Sequence, residues 1–232
     1  VEVRPALSGS WELVPRSNIV GAVRVGNVDV VVKPKAPFSS VLFMLGYARN
    51  PKFPPMELSG GEADLWPALA ETLARLADRA LGHGVLQGYV SRDETTPVLR
   101  GRIRASDQMS RHFGLPFPLE VTFDDYSADI PENQILRSAL HRMAAVPGVD
   151  ANTRGRLLHL NARLDGVTMV VAGVPPPAWV PNRLNSRYHD VLGLSELILR
   201  FLGVDASRGA APVASFVDDV ADTFEGFVAA AL

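Results

Sequence analysis

Apolar and polar positions follow two different periods along this chain, and the change of period divides it near residue 130. Before that point a two-residue alternation dominates. Val20, Val23 and Val25 precede Gly26-Asn27, and Val28, Val30, Val31 and Val32 follow. β-Branched runs on both sides of a Gly-Asn pair predict a hairpin. Residues 11–32 as a whole read as short strands, ended by Pro34 and Pro37. Phe38 to Ala48 predicts a short helix, and the Pro- and Gly-rich stretch 50–61 a loop. From about 62 to 81, Leu65, Leu69, Leu73, Leu76 and Leu81 recur at helical spacing. Pro67 suits the first turn of that helix and Gly82-His83-Gly84 its end. Val85–Val90 and Val98–Arg104 read as strands around a polar turn, Ser91–Thr96, and residues 119–126 as a third strand.

After Pro131 the period becomes helical. Glu132–Ala145, Thr153–Leu164, Asn185–Leu202 and Phe216–Ala230 each show it, while Val167–Val171 reads as a strand followed by a stiff Pro-rich connection at 175–181. The predicted fold class is α+β. A β-rich N-terminal half (1–130), barrel-like with projecting hairpins and one inserted helix, leads into a helical C-terminal half (131–232).

Composition narrows the function. Of 232 residues, 47% are hydrophobic and 21% charged, ordinary for a soluble protein. The net charge of −2 makes the chain as a whole no polyelectrolyte for nucleic acid. The absence of cysteine excludes thiolate nucleophiles and thiolate zinc sites. No apolar run approaches the roughly 20 residues of a membrane span, and no secretory pattern opens the sequence, so a cytoplasmic location is expected. Lysine occurs at 33, 35 and 52 and nowhere later. None is followed by Ser or Thr, so there is no P-loop.

Candidate chemistry is sparse. The five histidines show no metal-ligand spacing, and neither a Gly-x-Ser-x-Gly elbow nor a Gly-x-Gly-x-x-Gly turn occurs. No catalytic residue and no metal ligand is assigned. Carboxylates gather at Glu120, Asp124, Asp125, Asp129 and Glu132; they read either as a magnesium site or as a strand end before a helix N-terminus. Asp129 with Asn133 fits a polar turn that locks strand to helix. The sharpest feature is Val98-Leu99-Arg100-Gly101-Arg102-Ile103-Arg104. Extended alternation would put Arg100, Arg102 and Arg104 on one face, with Arg111 nearby. Such a face contacts phosphate or an acidic partner, or else guards a strand edge against aggregation. Asn185 or Ser186 would cap the last long apolar helix but one, and Arg187 and Tyr188 at its start are packing residues or partner contacts.

Taken in order, several segments resemble the McrC subunit family of the McrBC modified-cytosine restriction system. They are Val30–Lys35 with Leu42–Ala48, Gly84–Tyr89 leading to Leu99–Ile103, Asp129 with Glu132–Leu136, Asn185–Tyr188 with its leucine-rich helix, and Phe216–Leu232. The resemblance implies a subunit that joins a hexameric AAA+ GTPase ring of the McrB type, inserts an N-terminal projection into its channel and stimulates GTP hydrolysis. It also implies a C-terminal PD-(D/E)xK nuclease, with DNA met through the complex. GTP and magnesium would belong to the ring and to the nuclease, with no cofactor in this chain. The sequence ends at Leu232, where that nuclease would begin, and lacks a late lysine. The expectation is therefore a ring-binding, noncatalytic stretch, with Arg100, Arg102, Arg104, Arg111, Arg187 and Tyr188 as candidate contacts. An arginine reaching the ring's active site would account for stimulation. Two other readings are a DNA-binding module that uses the arginine strand and a metal-dependent hydrolase built on Asp124, Asp125 and Asp129.

Overall fold

In the computed structural model, the described residues are 2–5, 11–14, 19–25, 28–32, 38–47, 65–171, 173–202 and 216–231. The elements in the first half are β1 (Glu2–Pro5), β2 (Trp11–Val14), β3 (Ile19–Val25), β4 (Val28–Val32), α1 (Phe38–Tyr47) and α2 (Leu65–Leu81). Next come β5 (Gly88–Thr96), β6 (Arg102–Ile103), α3 (Ala105–Arg111) and β7 (Leu119–Ser127). The rest are α4 (Pro131–Ala144), α5 (Ala151–Ala162), a 3-10 turn (Ser186–Tyr188), α6 (His189–Phe201), β8 (Phe216–Asp219) and α7 (Val220–Ala231). The class is α+β, as the periodicities predict. The loop expected at 50–61 lies outside the described residues.

The helices with long apolar stripes make the core. On α2, Leu69, Leu73, Ala70, Ala74, Ala77 and Ala80 are buried, and the small alanines let α5 and α6 approach closely. The helix stops where Gly84, at φ 92°, donates its amide to the Leu81 carbonyl at 2.8 Å. Pro131 starts α4 after an extended Ile130, because proline disfavours helical backbone at the residue before it. Ile135, Leu136, Ala139, Leu140 and Met143 then pack against α5 and α6. α5 begins two residues earlier than its apolar pattern indicates, since the Asp150 carboxylate caps it by accepting from the amides of Asn152 and Thr153, both at 3.0 Å. At the margin of this core, which takes in Val41 of α1, α1 and α7 meet through Phe43, Tyr47 and Phe227, whose rings lie 5.2–6.0 Å apart.

Strand pairing gives three separate antiparallel sheets: β1 with β2, β3 between β4 and β8, and β7 between β5 and β6. Val25 stands opposite Val28, which is the predicted hairpin. Among the described residues these sheets do not join into a barrel. Four local expectations are corrected. Residues Phe216–Asp219 form β8 on the free edge of β3 instead of starting a helix, since that edge offers backbone partners which a first helical turn lacks. Ser91–Thr96 is not a turn but the second half of β5, paired without interruption to β7. Its polar side chains find partners across the strands: the Thr122 hydroxyl donates to Asp93 at 2.6 Å and the Thr95 hydroxyl to Glu120 at 2.9 Å. Val167–Val171 forms no strand and joins no sheet. Side chains of α4 and of the turn before it take the place of a ladder: Thr168 donates from backbone and hydroxyl to Asp129, Val170 donates to Ser138, and Arg137 and Arg142 donate to the carbonyls of Val167 and Val170. Finally, neither Asn185 nor Ser186 caps α6. The Asn185 amide instead donates to Glu132 at 2.8 Å and to the Val180 carbonyl at 2.9 Å, which ties the Pro-rich connection to α4.

The β5–β7 ladder joins the helices at one end. Asn133, fully buried in the first turn of α4, donates to the Leu86 and Ala128 carbonyls, each at 2.7 Å, just before β5 and just after β7. Replacing Asn133 by alanine deprives the Leu86 carbonyl of this partner and leaves the Ala128 carbonyl with the Ile130 amide at 2.9 Å. It is expected to cost about 1–3 kcal/mol of stability, readable in urea unfolding, and an unchanged midpoint would contradict the role.

Candidate functional site

Beyond its Asn133 anchor the ladder runs outward, and its far end carries α3 and residues 112–118. This part has little core of its own. Val121 is buried, whereas Val98, Leu99, Met109, Phe113, Leu115 and Phe117 are all exposed, Phe113 by 82%. Exposed apolar groups grouped this closely mark a contact surface more often than chance. At the near end Tyr89 and Tyr126, directly opposed in the ladder, stack in the open with centroids 5.1 Å apart.

The arginines do not share one face. Gly101 sits at φ +66°, and a Cβ there would come within 2.2 Å of the Thr122 carbonyl oxygen. Only glycine allows this conformation and this approach together, and it interrupts the extended alternation. Arg100 consequently lies over the Phe123 ring at 3.8 Å and pairs with Glu94. Arg102 stands opposite Thr122, so it projects from the face that carries Asp93 and Glu120. Arg104, on that same face, pairs with Asp107, with Asp93 at 3.4 Å and with Glu120 at 3.7 Å. Arg111 reaches Glu120 at 3.3 Å. Arg102 is exposed and has no carboxylate partner among the described residues.

Glu120 is the centre of this arrangement. Its side chain is 2% exposed, and His112 Nε2 lies 3.2 Å away in addition to Thr95, Arg104 and Arg111. The Gln108 side chain accepts from the Glu120 amide at 2.8 Å, and the Arg104 amide donates to the Glu120 carbonyl at 2.8 Å. One residue thus holds β5, β7 and both ends of α3. Burial opposes its charge, but the Thr95 hydroxyl, the His112 ring and the Arg111 guanidinium together hold the carboxyl below the ordinary glutamate range.

The other candidate residues are used elsewhere. Tyr188 is fully buried, and its hydroxyl accepts from the Leu86 amide at 3.1 Å. Arg187 donates to the Gly84 carbonyl at 3.0 Å and lies over the Tyr188 ring. Both make packing contacts in this structure. Asp129 is engaged by Thr168 and by Gln134 at 2.9 Å, and Asp125 by Arg92 at 3.2 Å. Among the described residues no group of three His, Asp or Glu side chains is arranged to hold a metal ion, and no helix is long and apolar enough to cross a membrane. Sequence reasoning passed over the roles of Glu120 and Gly101, the tyrosine pair and the apolar tip. A glycine between two arginines was the available signal for the broken alternation.

Residues 14–232 match the sequence profile of the McrBC 5-methylcytosine restriction system component family. Among solved structures, the chain is similar to one in the cryo-EM structure of the Thermococcus gammatolerans McrBC complex (TM-score 0.53, 18% identity). That match covers 92% of this chain and 65% of the other. It is also similar to a chain in the half-complex refined from a tetradecameric assembly of Thermococcus gammatolerans McrB AAA+ hexamers with bound McrC (TM-score 0.55, 20% identity, 92% of this chain, 52% of the other). At such identities the likeness establishes shared fold, and this chain spans about half to two-thirds of the chains it matches. No curated protein matches it.

Because the Glu120 carboxyl is held low, the stability it contributes is complete above the ordinary glutamate value and is lost as pH falls through its depressed one. The melting temperature of E120Q is therefore expected to lie below that of the unaltered chain near neutral pH, with the gap closing in acid. A gap independent of pH would contradict this.

Proposed function

The chain belongs to the McrBC 5-methylcytosine restriction system component family, and we propose that it acts there as the McrC-like subunit, docking on a hexameric McrB-type AAA+ ring and raising its rate of GTP hydrolysis. The observation that carries the reading is the outward ladder whose far end combines exposed apolar side chains with the uncommitted Arg102. Such an end suits insertion between protein subunits: the apolar groups gain by burial, and the arginine seeks an acceptor that the described residues do not supply. The two similar structures, an McrBC complex and McrB hexamers with bound McrC, support this assignment.

The role is that of an adaptor. GTP and magnesium belong to the ring. Stimulation comes from a guanidinium placed where charge develops during phosphoryl transfer, or where it steadies a ring residue that does so. Of the arginines named from the sequence, Arg102 is the one free to reach outward. Coupling to DNA cleavage runs through a PD-(D/E)xK nuclease domain of the system. The region 1–232 makes and breaks no bond itself, a reading supported by the lack of any lysine after Lys52.

Mixing the chain with its cognate ring is expected to raise GTP turnover, and the two should co-migrate on a sizing column. Arg102→Ala should lower the stimulated rate about tenfold, the value of one charge-assisted hydrogen bond of ~1.5 kcal/mol. Basal turnover with no co-migration would overturn the proposal. Full stimulation by R102A would remove Arg102 from it.

A further inference from the structure

The guanidinium groups near the far end of the ladder pose a selectivity problem. Arg102, Arg104 and Arg111 with His112 have the composition of a phosphate-binding surface. A subunit that works beside nucleotides and DNA would lose its docking end to any polyanion if all of them faced outward. The structure shows how that is avoided. A single carboxylate, 2% exposed, lies 3.3 Å from Arg111, 3.2 Å from His112 and 3.7 Å from Arg104. Other acids nearby are exposed or half-buried: Asp93 and Asp107 share Arg104, and Glu94 holds Arg100. Glu120 differs in holding several cations at once and in being fixed by Thr95 and Gln108 from two sides.

We propose that Glu120 is a specificity-determining residue: it pairs with the exposed Arg111 and with His112 and shares Arg104 with Asp107 and Asp93, so it competes with phosphate backbones for these groups, and it leaves Arg102 as the guanidinium offered to a protein acceptor. The protein-acceptor half of this statement rests on the reading given above, whereas the exclusion of polyanions stands without it. The physical basis is competition at fixed geometry. A phosphate must displace a carboxylate already in place, desolvated and held by the Thr95 hydroxyl, and then leave that carboxylate buried without its cations. Around Arg102 no such competitor exists among the described residues. Asp124, without an ion-pair partner among the described residues and sharing a face with Tyr126, further disfavours a phosphate chain along that side.

Glutamine at 120 keeps the shape and still accepts from Thr95, but it carries no charge to retain Arg111 and His112. The test is binding of the whole chain to a short random-sequence duplex DNA, followed by fluorescence anisotropy over a salt series. E120Q is expected to bind at least about tenfold more tightly than the unaltered chain at low salt, with a log–log salt slope steeper by about 1–2, one to two additional phosphate contacts. Equal affinity and equal slope in a folded E120Q would overturn the proposal. If E120Q does not fold, two variants with Glu120 in place decide the matter on a heparin column. R102A should elute earlier than the unaltered chain, and R111A should co-elute with it because Arg111 is already committed. Elution of R111A as early as R102A would overturn the proposal. A chain that never engages the ring would sink the assigned function while leaving these DNA and heparin outcomes to stand or fall separately.

Discussion

Asn133 is a small polar side chain buried in the first turn of α4, where its amide joins the backbone on either side of the outward ladder. Leu86 lies just before β5 and Ala128 just after β7, and both accept from the same amide group at 2.7 Å. The outward ladder therefore hangs from the first turn of α4. The same helix serves two structures at once. Ile135, Leu136, Leu140 and Met143 enter the core, while Arg137, Ser138 and Arg142 satisfy the segment at 167–170. Positions three and four apart on a helix share a face, so one surface of α4 can be apolar and another can substitute for a missing strand. If α4 shifted, the core, that segment and the direction of the ladder would all shift with it.

The charge pattern of the ladder is mostly spent internally. Exposed ion pairs such as Arg92 with Asp125 contribute little to stability, typically about 0–1 kcal/mol. Their effect is to fix side-chain direction. The buried Glu120 does more, because it joins β5, β7 and α3 in one place. What is left for a partner is what these pairs exclude: Arg102, the tyrosine pair and the apolar tip. The composition is that of a protein-binding surface rich in aromatic and arginine anchors, presented on a frame that its own hydrogen bonds hold in shape.

Much of this was legible in advance and some was not, for definite reasons. Long helices such as α2 announce themselves, since a buried stripe of Leu and Ala repeats over many turns and glycine closes it. The β3–β4 hairpin was equally plain. The second half of β5 was hidden because its side chains are stabilised by cross-strand hydrogen bonds rather than by burial, so alternation carried no signal there. At 167–171 the apolar pattern indicated a strand that the structure does not form, and it could not tell that side chains would supply the backbone's partners. For the arginines, residue type pointed to the right region and spacing held for Arg102 and Arg104 but misled for Arg100, which a single positive φ at Gly101 turns from the face the other two share. Glu120 looked like one carboxylate of several. Its burial follows from contacts between β5, β7 and α3 that no local pattern encodes.

The central claim is that a ladder fixed at Asn133 presents its far end to a protein ring while the helices stay as they are. Amide hydrogen exchange on the chain alone and with its cognate ring tests this directly. The account predicts added protection concentrated in residues 98–118, with α2, α4, α5 and α6 unchanged. Protection confined to the helices, or none on mixing with a ring that is folded and hexameric, would contradict it.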